Sequence, residues 1–303
     1  MRITNYNQQQ QLIQDIQTRL GQFNQANEQL TSGLRFTKAS EDPIAAKDVM
    51  QLNAQLTGLD QFDRNSIFAQ GHQQAENDVL TAVSSLMAQA RQIAADSGNA
   101  AVGSAERTRA ASQVDQILKE VISYGNTQFG GEFLFGGGNA NSPPFDTTAA
   151  TEGNYLGGAL TRTTAIDPGV NVAINDRGDK VFGDPSVTTP GIITSLKNLR
   201  DGLAGTDTSA TILTTRLSNL VNAADQLQQT QTTVAGRLVQ IDNATSQRAA
   251  TRNQISDRKD AAQGVDPTTA AANVLALQTS IQAAYSATSR ILSSSLVNYL
   301  TNI

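Results

Sequence analysis

Residues 213–248 read LTTRLSNLVNAADQLQQTQTTVAGRLVQIDNATSQR, and this stretch decides the fold. Every third or fourth position gives Leu213, Leu217, Leu220, Ala224, Leu227, Gln231, Val234, Leu238, Ile241, Thr245 and Arg248. A 4-3 repeat sustained for so long lays one narrow apolar stripe along an α-helix. The expected helix has about 45 residues and spans roughly 65–70 Å at ~1.5 Å per residue. Such a helix cannot hold itself in water on its own stripe, so it demands long helical neighbours.

Working outward, two segments have a matching size. One opens at Ser40-Glu41-Asp42-Pro43, where Asp42 suits the N-cap and Pro43 the first helical position, its missing N–H being harmless there. Its apolar positions are Val49, Leu52, Leu56 and Leu59, resuming at Val79, Val83, Leu86, Ala90 and Ile93. Gly71-His72 is expected to mark a break or kink, and Gly98-Asn99 to end the run. Ser104 is expected to cap a second helix through Val114, Ile117, Val121 and Ile122.

The two ends of the chain carry thinner versions of the same pattern. Ile13, Ile16, Leu20, Phe23, Asn27, Leu30 and Leu34 make one seam, with Asn27 a polar interruption that could set register. Val274, Leu277, Ile281, Ala284, Thr288, Ile291 and Ser295 make the other. At about two residues in seven, neither seam buries enough to hold its helix firmly, so both helices want partners.

Between these blocks the composition changes. Residues 129–191 hold five of the seven prolines and many of the 23 glycines. Short β-like runs stand among them: Glu132–Phe135, Val170–Ile174 and Lys180–Phe182, punctuated by Gly, Asn and Asp as hairpins require. The expected fold is mainly α, a long antiparallel helical bundle or coiled-coil rod formed by both ends of the chain, with a small β-rich inserted domain. The expected division is 1–40 plus 262–303, a terminal helical domain; 41–141 plus 192–261, a helical rod with a hairpin; and 142–191, a β-rich outer domain. Residues 147–187 supply no heptad position and are expected to be removable.

Composition excludes several function classes. A net charge of −5 gives no basic face for phosphates or for an anionic membrane. With no Cys there is neither a disulfide nor a thiolate metal site. The opening MRITNYNQQQQ lacks the apolar core of a secretory signal, which points to the cytoplasm unless a signal-less export route operates.

No catalytic constellation stands out. His72 is the single histidine, without a second His or a Cys to share a metal, and reads as structural. Asp176-Arg177-Gly178-Asp179 contains the Arg-Gly-Asp tripeptide of adhesion ligands, but a turn between β runs wants these residue types anyway. Asp176, Asp179 and Asp184 lack the acidic spacing and closing Glu of a calcium loop. Gly136-Gly137-Gly138 has no following Lys-Ser/Thr and reads as a flexible junction rather than a phosphate cradle. No enzyme activity, metal or cofactor is expected.

Several short motifs, in order, resemble one family. Met1-Arg2-Ile3-Thr4 opens the chain; Leu30-Thr31-Ser32-Gly33-Leu34-Arg35 follows the first seam; Glu41-Asp42-Pro43-Ile44-Ala45-Ala46 opens the next helix. Gly131-Glu132-Phe133-Leu134-Phe135-Gly136-Gly137 comes with Pro144-Phe145, and Ala283-Ala284-Tyr285 with Ser295-Leu296-Val297-Asn298-Tyr299-Leu300 near the end. Together they resemble the flagellin superfamily, and more its hook-associated members than filament flagellin. Gly33, Arg35, Asp42, Pro43, Ala45, Phe133, Phe135, Tyr285, Leu296 and Tyr299 carry that likeness.

The resemblance implies a structural component of the bacterial flagellum, secreted through type III export and placed at the hook–filament junction. Its implied partners are further copies in a helical assembly, a neighbouring hook-associated protein, flagellin, and an export chaperone on the C-terminal helix. The assembly seam of the implied inner tube would be Ile13, Ile16, Leu20, Phe23, Leu30, Leu34, Val274, Leu277, Ile281, Ala284 and Ile291. Gln89 and Arg91 lie where the family contacts an innate immune receptor, on a patch that also packs in filaments. Filament flagellin is the alternative reading. A chemoreceptor-like signalling coiled coil would be a third, and would want an uninterrupted helical hairpin.

Overall fold

The computed structural model describes residues 2–99, 102–186 and 191–300, and side chains outside 2–9, 206 and 291–300. Long helices dominate: α1 (Arg2–Ser32), α2 (Pro43–Ser97), α3 (Ser104–Gly125), α7 (Leu217–Gln263) and α8 (Pro267–Leu300). Shorter ones lie between, α4 (Gly178–Val181), α5 (Ile192–Asp201) and α6 (Ser209–Thr211). The strands are small: β1 (Gln128–Phe129) with β2 (Glu132–Phe133), and β3 (Thr163–Asp167) with β4 (Val170–Ala173), each pair antiparallel. The mainly helical architecture matches the expectation.

The stripe that opened the reading becomes α7, 47 residues long. Its regular turns start at Leu217 rather than Leu213, because Ile212–Arg216 winds as a π-turn. Leu220, Leu227, Val234 and Ile241 are buried along it as the 4-3 spacing requires. Arg248, the last stripe position, is also buried and takes the place of an apolar side chain. It donates to Asp63 Oδ1 at 2.8 Å, Ser66 Oγ at 2.7 Å and Thr245 Oγ1 at 3.0 Å, and also to the Ile166 carbonyl.

The chain packs as two units, Met1–Thr57 with Thr251–Ile303, and Gly58–Ala250. The division between these units falls inside α2 and α7. In the second unit α2, α3, α5 and α7 enclose one core around Val83, Leu118, Val121, Leu196 and Leu227. Phe135, Phe145 and Phe182 join that core edge-on, with Phe182 ring centroids 4.8 Å from Phe135 and 5.5 Å from Phe145. Each such ring taken out of water contributes on the order of 2–3 kcal/mol. Asn126, just past α3, holds the Phe145 backbone by donating to its carbonyl and accepting from its N–H, both at 2.9 Å.

The β-rich segment is consequently no appendage. Its hairpin β3–β4 turns at Pro168-Gly169, where Gly169 has φ +76°, and a register shift between Ala165 and Asp167 accompanies the buried Ile166. Ile166, Val172 and Ile174 pack on Ala69 of α2 and Ile241 of α7. Asn65 and Gln73 of α2 donate to the hairpin carbonyls of Ala165 and Ala173. Removing residues 147–187, expected to be dispensable, would strip apolar partners from both helices.

Four local readings also change. Gly71-His72 does not break α2; a Cβ at Gly71 would stand 3.0 Å from the Phe129 ring, so the glycine makes room for β1. Lys180–Phe182 is not a strand, since Lys180 and Val181 lie in α4. Gly137 is no flexible junction. At φ +62° its Cα faces the Gly158 carbonyl so closely that a Cβ would lie 2.1 Å from that oxygen. The N-cap of α3 is Gly103, with Ser104 already its first helical residue.

Candidate assembly site

The seams at the chain ends meet each other. Arg19 of α1 hydrogen-bonds Ser280 of α8, and Leu34 pairs with Gly264, so the two helices run antiparallel. Ile16, Leu20, Phe23, Leu30 and Leu34 are half-buried, as are Val274, Leu277 and Ala284, while Ile281 is buried. Ile13 is 53% exposed, and the neighbouring Leu12 turns inward instead. Asn27 is exposed as well, its place taken by the buried Ala26. The path Phe23, Ala26, Leu30 fits the 3-4 spacing as well as the one through Asn27, but alanine offers little apolar contrast. Ala270, buried at the start of α8, escaped the reading for the same reason. Ile291, Leu296 and Tyr299 belong to α8, and their side chains lie outside the described residues.

The motif residues Gly33, Arg35, Asp42, Pro43 and Ala45 converge on one joint. Gly33 ends α1 at φ +70°, a conformation that favours glycine, and its carbonyl accepts from Val265 N–H at 3.0 Å. Arg35 N–H donates to Gln263 O at 2.7 Å, completing a two-bond antiparallel ladder between the loops after α1 and after α7. The Arg35 guanidinium donates to Asp42 Oδ2 at 2.9 Å and to Ala262 O at 3.2 Å. Asp42 Oδ1 in turn accepts from Ala45 N–H at 3.0 Å, the N-cap bond that the Asp-Pro pair predicted. Beneath lie Phe36, Ala46 and Val49, packed against Ala45 and Ala262. Gly264 cannot carry a side chain, because a Cβ there would stand 2.5 Å from Asp260 O.

The remaining candidates lie elsewhere. Phe133 is half-buried in β2 and Phe135 is fully buried in the core, whereas Tyr285 is 53% exposed on α8. Gln89 and Arg91 are both exposed on α2, and Gln89 lines a groove between α2 and α3 floored by Leu86, Ile93 and Ile117. Arg177 folds back on Asp179 with contacts of 3.0 and 2.6 Å, and Arg237 holds Asp176 at 2.8 and 2.9 Å. The Arg-Gly-Asp turn is thus tied up in its own ion pairs and opens α4 rather than joining two strands. His72 is buried between Phe68 and Phe129, with ring centroids at 4.6 and 4.9 Å, and burial pushes its pKa down. Among the described residues no helix is long and apolar enough to cross a membrane.

Residues 3–140, which take in α1 from Ile3, the loop after it, α2 and α3, match the family model described as the bacterial flagellin N-terminal helical region. The first 140 residues are flagellin-like. Flagellar hook-associated protein 3 of Escherichia coli is 26% identical over 95% of this chain and 96% of its own length. Flagellin of Listeria monocytogenes is 28% identical, but over only 34% of this chain and 36% of its own. The solved structure of the flagellar junction protein FlgL of Legionella pneumophila covers 73% of this chain and all of itself, with a TM-score of 0.59 at 16% identity, and shares the fold. The signalling-rod alternative, which required an uninterrupted helical hairpin, fails on the β-rich segment and on these likenesses alike.

Proposed function

We propose that this chain is a structural adapter at the junction of hook and filament. The observation that carries the reading is the span of likeness: the hook-associated relative aligns end to end, the flagellin relative over about a third. In this reading copies assemble helically through α1 and α8. Their shared seam is narrow, and Ile13, Leu275 and Tyr285 keep apolar surface outward, which a neighbouring subunit would cover. The joining partners are a hook-associated protein on one side and flagellin on the other. An export chaperone shields α8 until type III secretion delivers the chain to the flagellum. The expected terminal domain is the inner tube, the helical rod the outer tube, and the β-rich segment its outer face. Gln89 and Arg91 serve subunit packing, and an innate-receptor contact is a second use of the same exposed surface.

Electron microscopy of a deletion strain tests the proposal. Hooks without filaments, with unpolymerised flagellin shed into the medium and filaments restored by the intact gene, is the expected result. Filaments of ordinary length and number on the deletion strain would overturn it.

A further inference from the structure

We infer that the joint between the two chain ends is a latch, with Arg35 as the positioning residue that makes α1 and α8 order and release together. The joint gathers four helix ends in a few residues: the end of α1, the start of α2, the end of α7 and the start of α8. The pair α1–α8 has a thin seam and gains little from either helix alone. What fixes its start is the two-bond ladder, Arg35 N–H to Gln263 O and Val265 N–H to Gly33 O. One of those bonds positions the exit of α1 and the other the entry to α8, so opening the ladder frees both helices at once.

Arg35 holds that ladder shut from three directions. Its guanidinium takes Asp42 at the start of α2 and the Ala262 carbonyl at the end of α7, and its own carbonyl accepts from Gln29 Nε2 at 2.7 Å on α1. The ring of Phe36 lies under the guanidinium, 5.9 Å from Cζ to centroid. Thr37 adds a second tie, donating through its hydroxyl to Glu28 Oε1 at 3.0 Å and through its N–H to Glu41 Oε2 at 3.1 Å. Arg35 is 53% exposed and Asp42 35%, so their attraction is open to screening by salt. A latch made this way is rigid enough to define the exit of both helices and weak enough to open without unfolding the core of residues 58–250. This holds for any assembly that uses the chain ends, whether or not the junction reading stands.

Hydrogen exchange followed by mass spectrometry on the full chain tests it, comparing wild type with Arg35→Gln and Arg35→Lys. In Arg35→Gln, peptides covering residues 10–32 and 267–290 should both exchange about tenfold faster or more. Peptides covering Val114–Val121 and Leu227–Val234 should not change, which also shows that the variant is folded. Arg35→Lys keeps the charge but not the fork, and should fall between the two. Raising salt to about 1 M should speed exchange of both terminal helices in wild type and leave Arg35→Gln insensitive. Acceleration of only one terminal helix, or none, would overturn the latch. So would equal salt responses in wild type and Arg35→Gln, since the ion pair would then not be holding it.

Discussion

Glu76 gives the sharpest test of how the middle of the chain is held together. It sits on α2, 1% exposed, with Gln73 Nε2 at 3.4 Å from one oxygen and Asp176 beside it, itself clamped by Arg237. Burial first, and then the Asp176 charge, push the Glu76 carboxyl well above its ordinary 4.5, against the opposing pull of Arg237. The folded state therefore holds a proton that the unfolded chain releases above pH 4.5. Stability falls as pH rises through that window, by about 1.4 kcal/mol per pH unit, and levels off once the folded carboxyl ionises. Below the unfolded value both states are protonated and the contribution is fully present. Glu76→Gln mimics the protonated form and cannot titrate. Urea titrations followed by circular dichroism at pH 5, 6, 7 and 8 should give the variant a shallower loss of stability with pH, and the higher stability of the two at pH 8. Parallel curves across that range would refute the reasoning, because Glu76 would then be ionised in both states or screened by solvent the structure does not admit.

Three further outcomes follow from the packing. Arg248→Met should destabilise residues 58–250 by about 3–5 kcal/mol, read as a drop in urea midpoint, since a buried guanidinium that ties Asp63, Ser66 and the Ile166 carbonyl together is removed. Joining residue 146 to 188 through a short Gly-Ser linker should abolish cooperative unfolding of that unit, because Ile166, Val172 and Phe182 leave the core with the deleted segment. Intact, cooperative melting of that deletion would mean that the helices close over the gap. Leu118→Asp and Leu277→Asp should separate: the first charge enters a fully buried site and should cost several kcal/mol, while the second sits on the half-buried seam of α8 and should leave the main unfolding transition unmoved.

The sequence was most legible where the residue pattern is local. The 4-3 stripe of α7, the Asp42-Pro43 start of α2 and the stop after Ser97 follow from side-chain spacing and backbone chemistry within a few residues. Readings failed where a distant partner decides. Gly71 is spared from breaking α2 by nearby helix-forming residues and is required by Phe129, 58 positions further on. The Lys180–Phe182 run has strand-like residues, yet Phe182 is wanted by two other rings of the core and the chain coils to deliver it. Of the candidate assembly residues, the joint was visible as a motif without a mechanism. Its geometry needed Gln263 and Ala262, which nothing in the first forty residues announces. Along α1 the buried positions differ by one from the pattern read in the sequence, Leu12 for Ile13 and Ala26 for Asn27, because alanine and glutamine blur the edge of a narrow stripe.

The pairing of α1 with α8 has a consequence in time. Arg19 meets Ser280 across 261 positions of chain, about as non-local as a contact in this protein can be. A ribosome adding roughly 5–20 residues per second finishes α1 first and reaches its partner only ~15–50 s later. Through that interval the middle of the chain can fold on its own core, while α1 has no surface to close against. Closing the ends from an open coil carries a loop-entropy cost that grows with the logarithm of the spacing. A middle that has already folded shortens the effective loop and makes that step cheaper. The first helix made should therefore be the last to find its place, and a transcript cut short before Pro267 should yield a chain whose middle is folded and whose first helix never closes.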